Sequence, residues 1–155
     1  MIMTETDTGP DIPRGLLATC GTADFSGIHA EILLGGEAAP LTAMALTVAP
    51  ALGAPAHISF TEDKLFTVTR GHLLFLVGND RFLAECGASV FVPQGDVHSF
   101  SALDGSACMM LVATPARHDR FFQAMGSLPL PHRPEEVQAV CERYEQAIVG
   151  PVVQP

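Results

Sequence analysis

Two short stretches concentrate the side chains able to move protons or hold a ligand. The first is His57-Ile58-Ser59-Phe60-Thr61-Glu62-Asp63-Lys64, followed after six intervening residues by Gly71. The second runs from Gly87 through Pro93-Gln94-Gly95-Asp96-Val97 to His98. An imidazole titrates near neutrality, so His57 and His98 suit general acid or base work. A lysine amine desolvated in an apolar pocket loses basicity. Lys64 would then stabilise an enolate or oxyanion, or condense with a carbonyl to an imine. A serine hydroxyl at Ser59 would orient a substrate oxygen. Residues two apart on a strand share a face, so His57 and Ser59 are expected to project together.

The flanking sequence supplies many short strands. The pattern predicts Leu16–Thr19, Ile28–Leu33 and Thr42–Val48, the last with Thr42, Met44, Leu46 and Val48 on one face. Lys64–Thr69 follows, with Lys64, Phe66 and Val68 sharing a face. Gly71 turns the chain into His72–Val77, and Gly78-Asn79-Asp80 has the residues of a hairpin turn. Arg81–Glu85, Ser89–Val92, Val97–Ala102 and Ala107–Thr114 complete the series. Short strands closely punctuated by Gly and Pro argue for a sandwich or barrel of antiparallel strands. Beyond Pro115 the periodicity becomes helical, predicting helices at Arg117–Met125 and Pro134–Ile148, with Pro134, Glu135 and Glu136 suited to a first turn.

The two stretches resemble the paired motifs of the cupin superfamily, over roughly Leu41 to Pro115. The first cupin motif runs His-x-His, four residues, Glu, six residues, Gly; the second is the Gly, Pro-x-Gly, His frame seen from Gly87 to His98. The segment after Pro115 also resembles that of bacterial quercetin-dioxygenase-like cupins. The resemblance implies an all-β fold, a double-stranded β-helix or jelly-roll-like barrel, with C-terminal helices. The expected division is a mobile arm over 1–14, a barrel over 15–115 and a helical cap and tail over 116–155. It further implies that His57, Ser59, Lys64 and His98 face one pocket as the catalytic set, with Phe66, Val68, Phe91, Phe100, Met44 and Met110 as its substrate-binding lining.

Laid on the cupin frame, Ser59 stands where a second histidine would be and Lys64 where the glutamate would be. A metal centre commonly takes three or four imidazole or anionic ligands. Two imidazoles, a weakly ligating hydroxyl and a repelling ammonium fall short of that, so the reading is metal-independent. If one divalent Fe, Ni, Mn, Cu or Zn ion is held, His57, His98 and Glu62 are the expected ligands. His29, His72, His118 and His132 read as structural histidines, and Phe121, Phe122 and Met125 as helix-packing residues.

The chain has 155 residues, enough for one domain with a full core. Its net charge of −9 and scattered Lys and Arg argue against a nucleic-acid partner. Hydrophobic residues form 48% and charged residues 16% of it, a balance that fits a homodimer hiding part of its surface. Cys20, Cys86, Cys108 and Cys141 lack zinc-ribbon or CxxC spacing and are expected to be buried, unpaired thiols. With neither a signal-peptide pattern nor a membrane-length apolar run, a cytoplasmic protein without membrane contact is expected. Three functions fit. A metal-independent isomerase, lyase or cyclase acting on a carbonyl-bearing, cyclic or polyketide-like molecule is preferred. A metal-dependent dioxygenase similar to quercetin-cleaving cupins and a non-catalytic ligand-binding cupin are the alternatives.

Overall fold

Alternation of apolar and polar residues drives eleven strands into two facing sheets in the computed structural model, which describes residues 12–155. In chain order they are β1 Gly21–Phe25, β2 Ile28–Leu34, β3 Thr42–Val48, β4 Gly53–Ser59, β5 Asp63–Arg70, β6 His72–Val77, β7 Asp80–Glu85, β8 Ser89–Val92, β9 Val97–Ala102, β10 Ala107–Thr114 and β11 Gln146–Val152. Helices α1 (His118–Gly126) and α2 (Pro134–Arg143) lie between β10 and β11. One sheet has the order β1-β2-β3-β10-β5-β8 and the other β11-β4-β9-β6-β7, every pairing antiparallel.

The inner faces interdigitate as the period-two pattern requires. Thr42, Met44, Leu46 and Val48 are all buried along β3, and Lys64, Phe66 and Val68 along β5. Phe66, Phe75 and Phe100 meet between the sheets with ring centroids 5.5 to 5.8 Å apart. Gly53 permits β4 to approach β9 closely, since a Cβ there would lie 2.0 Å from the Phe100 carbonyl oxygen.

Several expectations are corrected. Leu16–Thr19 forms no strand and Leu16 is fully exposed; the first strand starts at Gly21. The second helix ends at Arg143, and Ile148 lies on β11, which pairs with β4. Glu145 takes a positive φ of 55° between them, reversing the chain from helix into sheet. Of the four thiols only Cys141 is buried; Cys20 and Cys86 are exposed and Cys108 is half-buried. Most of the arm expected over 1–14 lies outside the described residues.

Candidate active site

The site begins with a crossing from one sheet to the other. Strand β4 ends at Ser59 and β5 begins at Asp63, so three residues carry the chain between sheets. The β8–β9 turn braces that crossing: the Gly95 N–H donates to the Ser59 carbonyl at 2.9 Å and the Gln94 N–H to the Asp63 carboxylate at 2.9 Å. Gly95 sits at φ +88°, where a side chain would strain the backbone. The Pro-x-Gly segment thereby fixes His98 beside its cross-strand partner His57, the two rings 4.1 Å apart by centroid.

Lys64 reaches from the opposite sheet onto this pair. Its Nζ is 3.0 Å from His98 Nε2 and 3.4 Å from His57 Nε2. The far nitrogens are tied to backbone: His57 Nδ1 lies 2.7 Å from the Pro55 carbonyl and His98 Nδ1 3.0 Å from that of Asp96. A carbonyl oxygen only accepts, so both rings carry their proton on Nδ1 and offer an Nε2 lone pair to the amine. Lys64 is 1% exposed and is the only lysine in the sequence. Burial pulls its pKa from 10.5 to about 7, although the Glu62 carboxylate holds it up. Burial first, and then the Lys64 charge, push both imidazoles well below their ordinary range, so they are neutral at physiological pH.

A second polar chain runs beneath the amine. Ser59 Oγ donates to Gln146 Oε1 at 2.6 Å, and Gln146 Nε2 donates to Glu62 Oε1 at 2.7 Å. The other Glu62 oxygen lies 3.2 Å from His118 Nδ1. Burial raises the Glu62 pKa, but His118, Lys64 and Gln146 more than offset it, leaving a carboxylate held below its usual range. His118 itself is kept neutral by burial and by Lys64, against the pull of Glu62. Its place is set by the next residue, since the buried Asp119 accepts from Thr42 Oγ1 at 2.8 Å and from the Gly36 N–H at 2.9 Å. Arg117 clamps the other side, donating to Thr61 Oγ1 at 3.1 Å and to Glu145 at 2.8 Å.

Above these groups opens a cavity of about 250 Å3, with Lys64, His57, His118 and Gln146 as its polar wall. Its remaining wall includes Phe25, Phe66, Phe100, Phe121, Phe122 and Leu111. His132 and Pro55 are half-buried lining residues, while Ser26 and Ile148 are exposed at the rim.

Of the residues expected at the site, His57 and Lys64 line the cavity, and His98 stands behind them on the amine. Ser59 is buried but turned to Gln146, outside the lining. Phe66 and Phe100 are lining residues. Val68 and Met44 are core residues beyond the cavity. Phe91 and Met110 point outward. Phe91 pairs with the exposed Leu65, leaving Val90 and Val92 to face in; Met110 pairs with Ala45 and Thr67, leaving Met109 and Leu111 inside. His118 and His132, read as structural, line the cavity, as do the helix-packing residues Phe121, Phe122 and Met125. Gln146, unforeseen, arrives on β11.

A metal does not fit this donor set. Among the described residues no three His, Cys, Asp or Glu side chains converge as ligands. The two Nε2 lone pairs that would bind a cation are taken by Lys64, and Glu62 is turned to Gln146 and His118.

No protein-family model and no curated protein matches the chain. Solved structures do. KdgF from a Halomonas species superposes with a TM-score of 0.62 at 16% identity, over 70% of this chain and 99% of that one. An RmlC-like cupin from Shewanella frigidimarina gives 0.57 at 19%, over 64% and 87%. The cupin domain of Cnp3 from Schizosaccharomyces pombe gives 0.54 at 14%, over 72% and 79%. With two facing antiparallel sheets and these structural likenesses, the chain has the cupin fold, a double-stranded β-helix.

Proposed function

We propose that this protein is a metal-independent enzyme that moves protons on a small carbonyl compound, in the manner of an isomerase, lyase or cyclase. One observation carries the reading: the only lysine of the chain lies buried at an apolar cavity, its amine held by two neutral imidazoles. A buried polar group is costly unless the fold satisfies it, so such a lysine needs a reason to be there. The cavity is smaller than those that take drug-sized ligands, and its wall is largely aromatic, which favours a compact apolar substrate.

In its ammonium form Lys64 donates to a substrate carbonyl and stabilises the enolate that forms when a neighbouring C–H is deprotonated. His118 is the base on the cavity wall and Glu62 is its positioning residue, stabilising the imidazolium after it accepts the proton. Return of that proton to another carbon isomerises the substrate, and loss of a β-substituent makes the reaction a lyase.

Deuterium uptake at the α-carbon of small ketones in D2O tests the proposal, read by mass spectrometry with phenylacetone as the first probe. Uptake well above the buffer rate, lost in Lys64→Met, is expected. Binding of such ketones without exchange, or exchange that survives Lys64→Met, would refute it; the first outcome would point to a ligand-binding protein.

A further inference from the structure

We infer that Lys64 binds its carbonyl ligand covalently, as an imine on Nζ, and that the ligand is a small apolar ketone or aldehyde. This rests on the site being the carbonyl-binding site proposed above. The geometry of the amine carries it. A neutral amine nitrogen is tetrahedral, with one bond to carbon, two N–H bonds and one lone pair. Both N–H groups of Lys64 have acceptors in His98 Nε2 and His57 Nε2. Those rings cannot donate in return, because their own protons are tied to the Pro55 and Asp96 carbonyls. The lone pair is therefore the one part of the amine left without a partner, and the cavity is the open space that Lys64 lines. In the ammonium form that position is a third N–H able to donate to a carbonyl oxygen, so the neutral form is the one that attacks the carbonyl carbon.

The same two imidazoles supply what imine formation requires. Attack of the Nζ lone pair on the carbonyl carbon forms the C–N bond and moves the C=O π electrons onto oxygen. One proton then passes from nitrogen through an Nε2 to that oxygen, giving the neutral carbinolamine. Departure of the hydroxyl then breaks the C–O bond as the nitrogen pair forms C=N. The remaining N–H proton passes through an Nε2 to the departing hydroxide, so the two hydrogens of the amine leave in the water and both rings end neutral. No oxidant or metal enters the balance. A protonated iminium keeps one N–H, which His98, the nearer ring, accepts.

The wall selects the ligand. Apart from the groups already paired with one another, it offers mainly apolar side chains, phenylalanine foremost, with the Cys141 thiol and the half-buried His132 ring, and no arginine. Phosphorylated sugars and dicarboxylates, which favour a clamp of several cations, find no arginine and no second lysine there.

Reductive trapping is the test, and the composition makes it clean, because the chain's primary amines are Lys64 and its first residue. The folded protein is incubated with phenylacetone and sodium cyanoborohydride near neutral pH and mapped by peptide mass spectrometry. Expected is one adduct on the Lys64 peptide, formed on the order of 10²–10³ times faster than on the same lysine in urea-unfolded chain, whose amine is almost wholly protonated. Adduct confined to the terminal amine, or reaching Lys64 only after unfolding, would overturn the inference with no variant needed. Lys64→Arg, which keeps the charge but forms no imine, should lose the internal adduct. Deuterium uptake into the same ketone separates this from the broader reading. Uptake without trapping overturns the imine and leaves non-covalent proton transfer. Trapping without uptake upholds the imine and removes the proton-transfer reading.

Discussion

Replacing Lys64 with methionine, a flexible apolar side chain of similar length, removes the amine while filling its space. Burial lowers the folded pKa of Lys64 to about 7 from 10.5, so the group favours folding fully only above about 10.5, and that contribution is lost as pH falls through about 7. Between about pH 6 and about pH 9 the folded chain releases this proton while the unfolded chain mostly keeps it, so wild-type stability should climb by about 2–3 kcal/mol on this account. Lys64→Met has no such group. The difference in unfolding free energy, variant minus wild type, should therefore fall by that amount as pH rises. The titratable groups around the amine do not blur the window. His57 on β4, His98 on β9 and His118 on α1 are held neutral chiefly by burial, and Glu62 before β5 stays ionised. Losing the donor to two buried Nε2 atoms costs the variant about 1–3 kcal/mol each, but equally across the window. Urea unfolding followed by circular dichroism at several pH values measures the gap. A gap constant to within about 0.5 kcal/mol would refute the reasoning, because it would mean that Lys64 titrates in water.

Four further outcomes are expected. Glu62→Gln removes the carboxylate that raises the Lys64 pKa, so the pH limb for Lys64 trapping should move to lower pH; an unmoved limb would deny the coupling. Gln146→Ala leaves Ser59 and a Glu62 oxygen without their partner and should lower stability by about 2–4 kcal/mol in urea unfolding, a loss that an unlinked surface residue would not give. Lys64→Glu frees two Nε2 lone pairs beside a carboxylate and should bind divalent nickel or zinc by calorimetry far more tightly than wild type; equal affinity would sink the metal-independent reading. Light scattering should report a homodimer of the 16.4 kDa chain, and Phe91→Asp on the exposed Leu65–Phe91 pair should return it to a monomer.

The local code was strongest where strand alternation and turn residues agreed. Thr42–Val48, His72–Val77, Ser89–Val92, Val97–Ala102 and Ala107–Thr114 occur with the expected bounds. Where only alternation spoke, either face was open, and Phe91 and Met110 went outward because their neighbours Val90, Val92, Met109 and Leu111 fill the interior. Helical spacing ran past Arg143 because Tyr144 and Ile148 continue an apolar stripe that a strand satisfies equally well; a positive φ at Glu145 decides the matter, and no glycine announces it. The pairing of His57, His98 and Lys64 was legible through motif spacing. His118 and Gln146 were not, because they reach Glu62 from 56 and 84 residues away in sequence, through packing of α1 and β11 that no local pattern encodes.

Strand β11 also sets the order of events during synthesis. Gln146 completes the polar chain through Glu62 and Ser59, and Val153 accepts from Ser101 and donates to Ser99 on β9. Pairings this distant in sequence form late, because the intervening loop must close before any contact rewards it. A ribosome-bound chain emerging from its first residue has Lys64 and both motif histidines long before Gln146–Val153. Until β11 joins β4, that edge of the sheet is open, and the amine and Glu62 sit without their cover. The cavity that encloses Lys64 thus closes after the other strands have paired, and reactive carbonyls meet a solvated, protonated lysine until β11 docks.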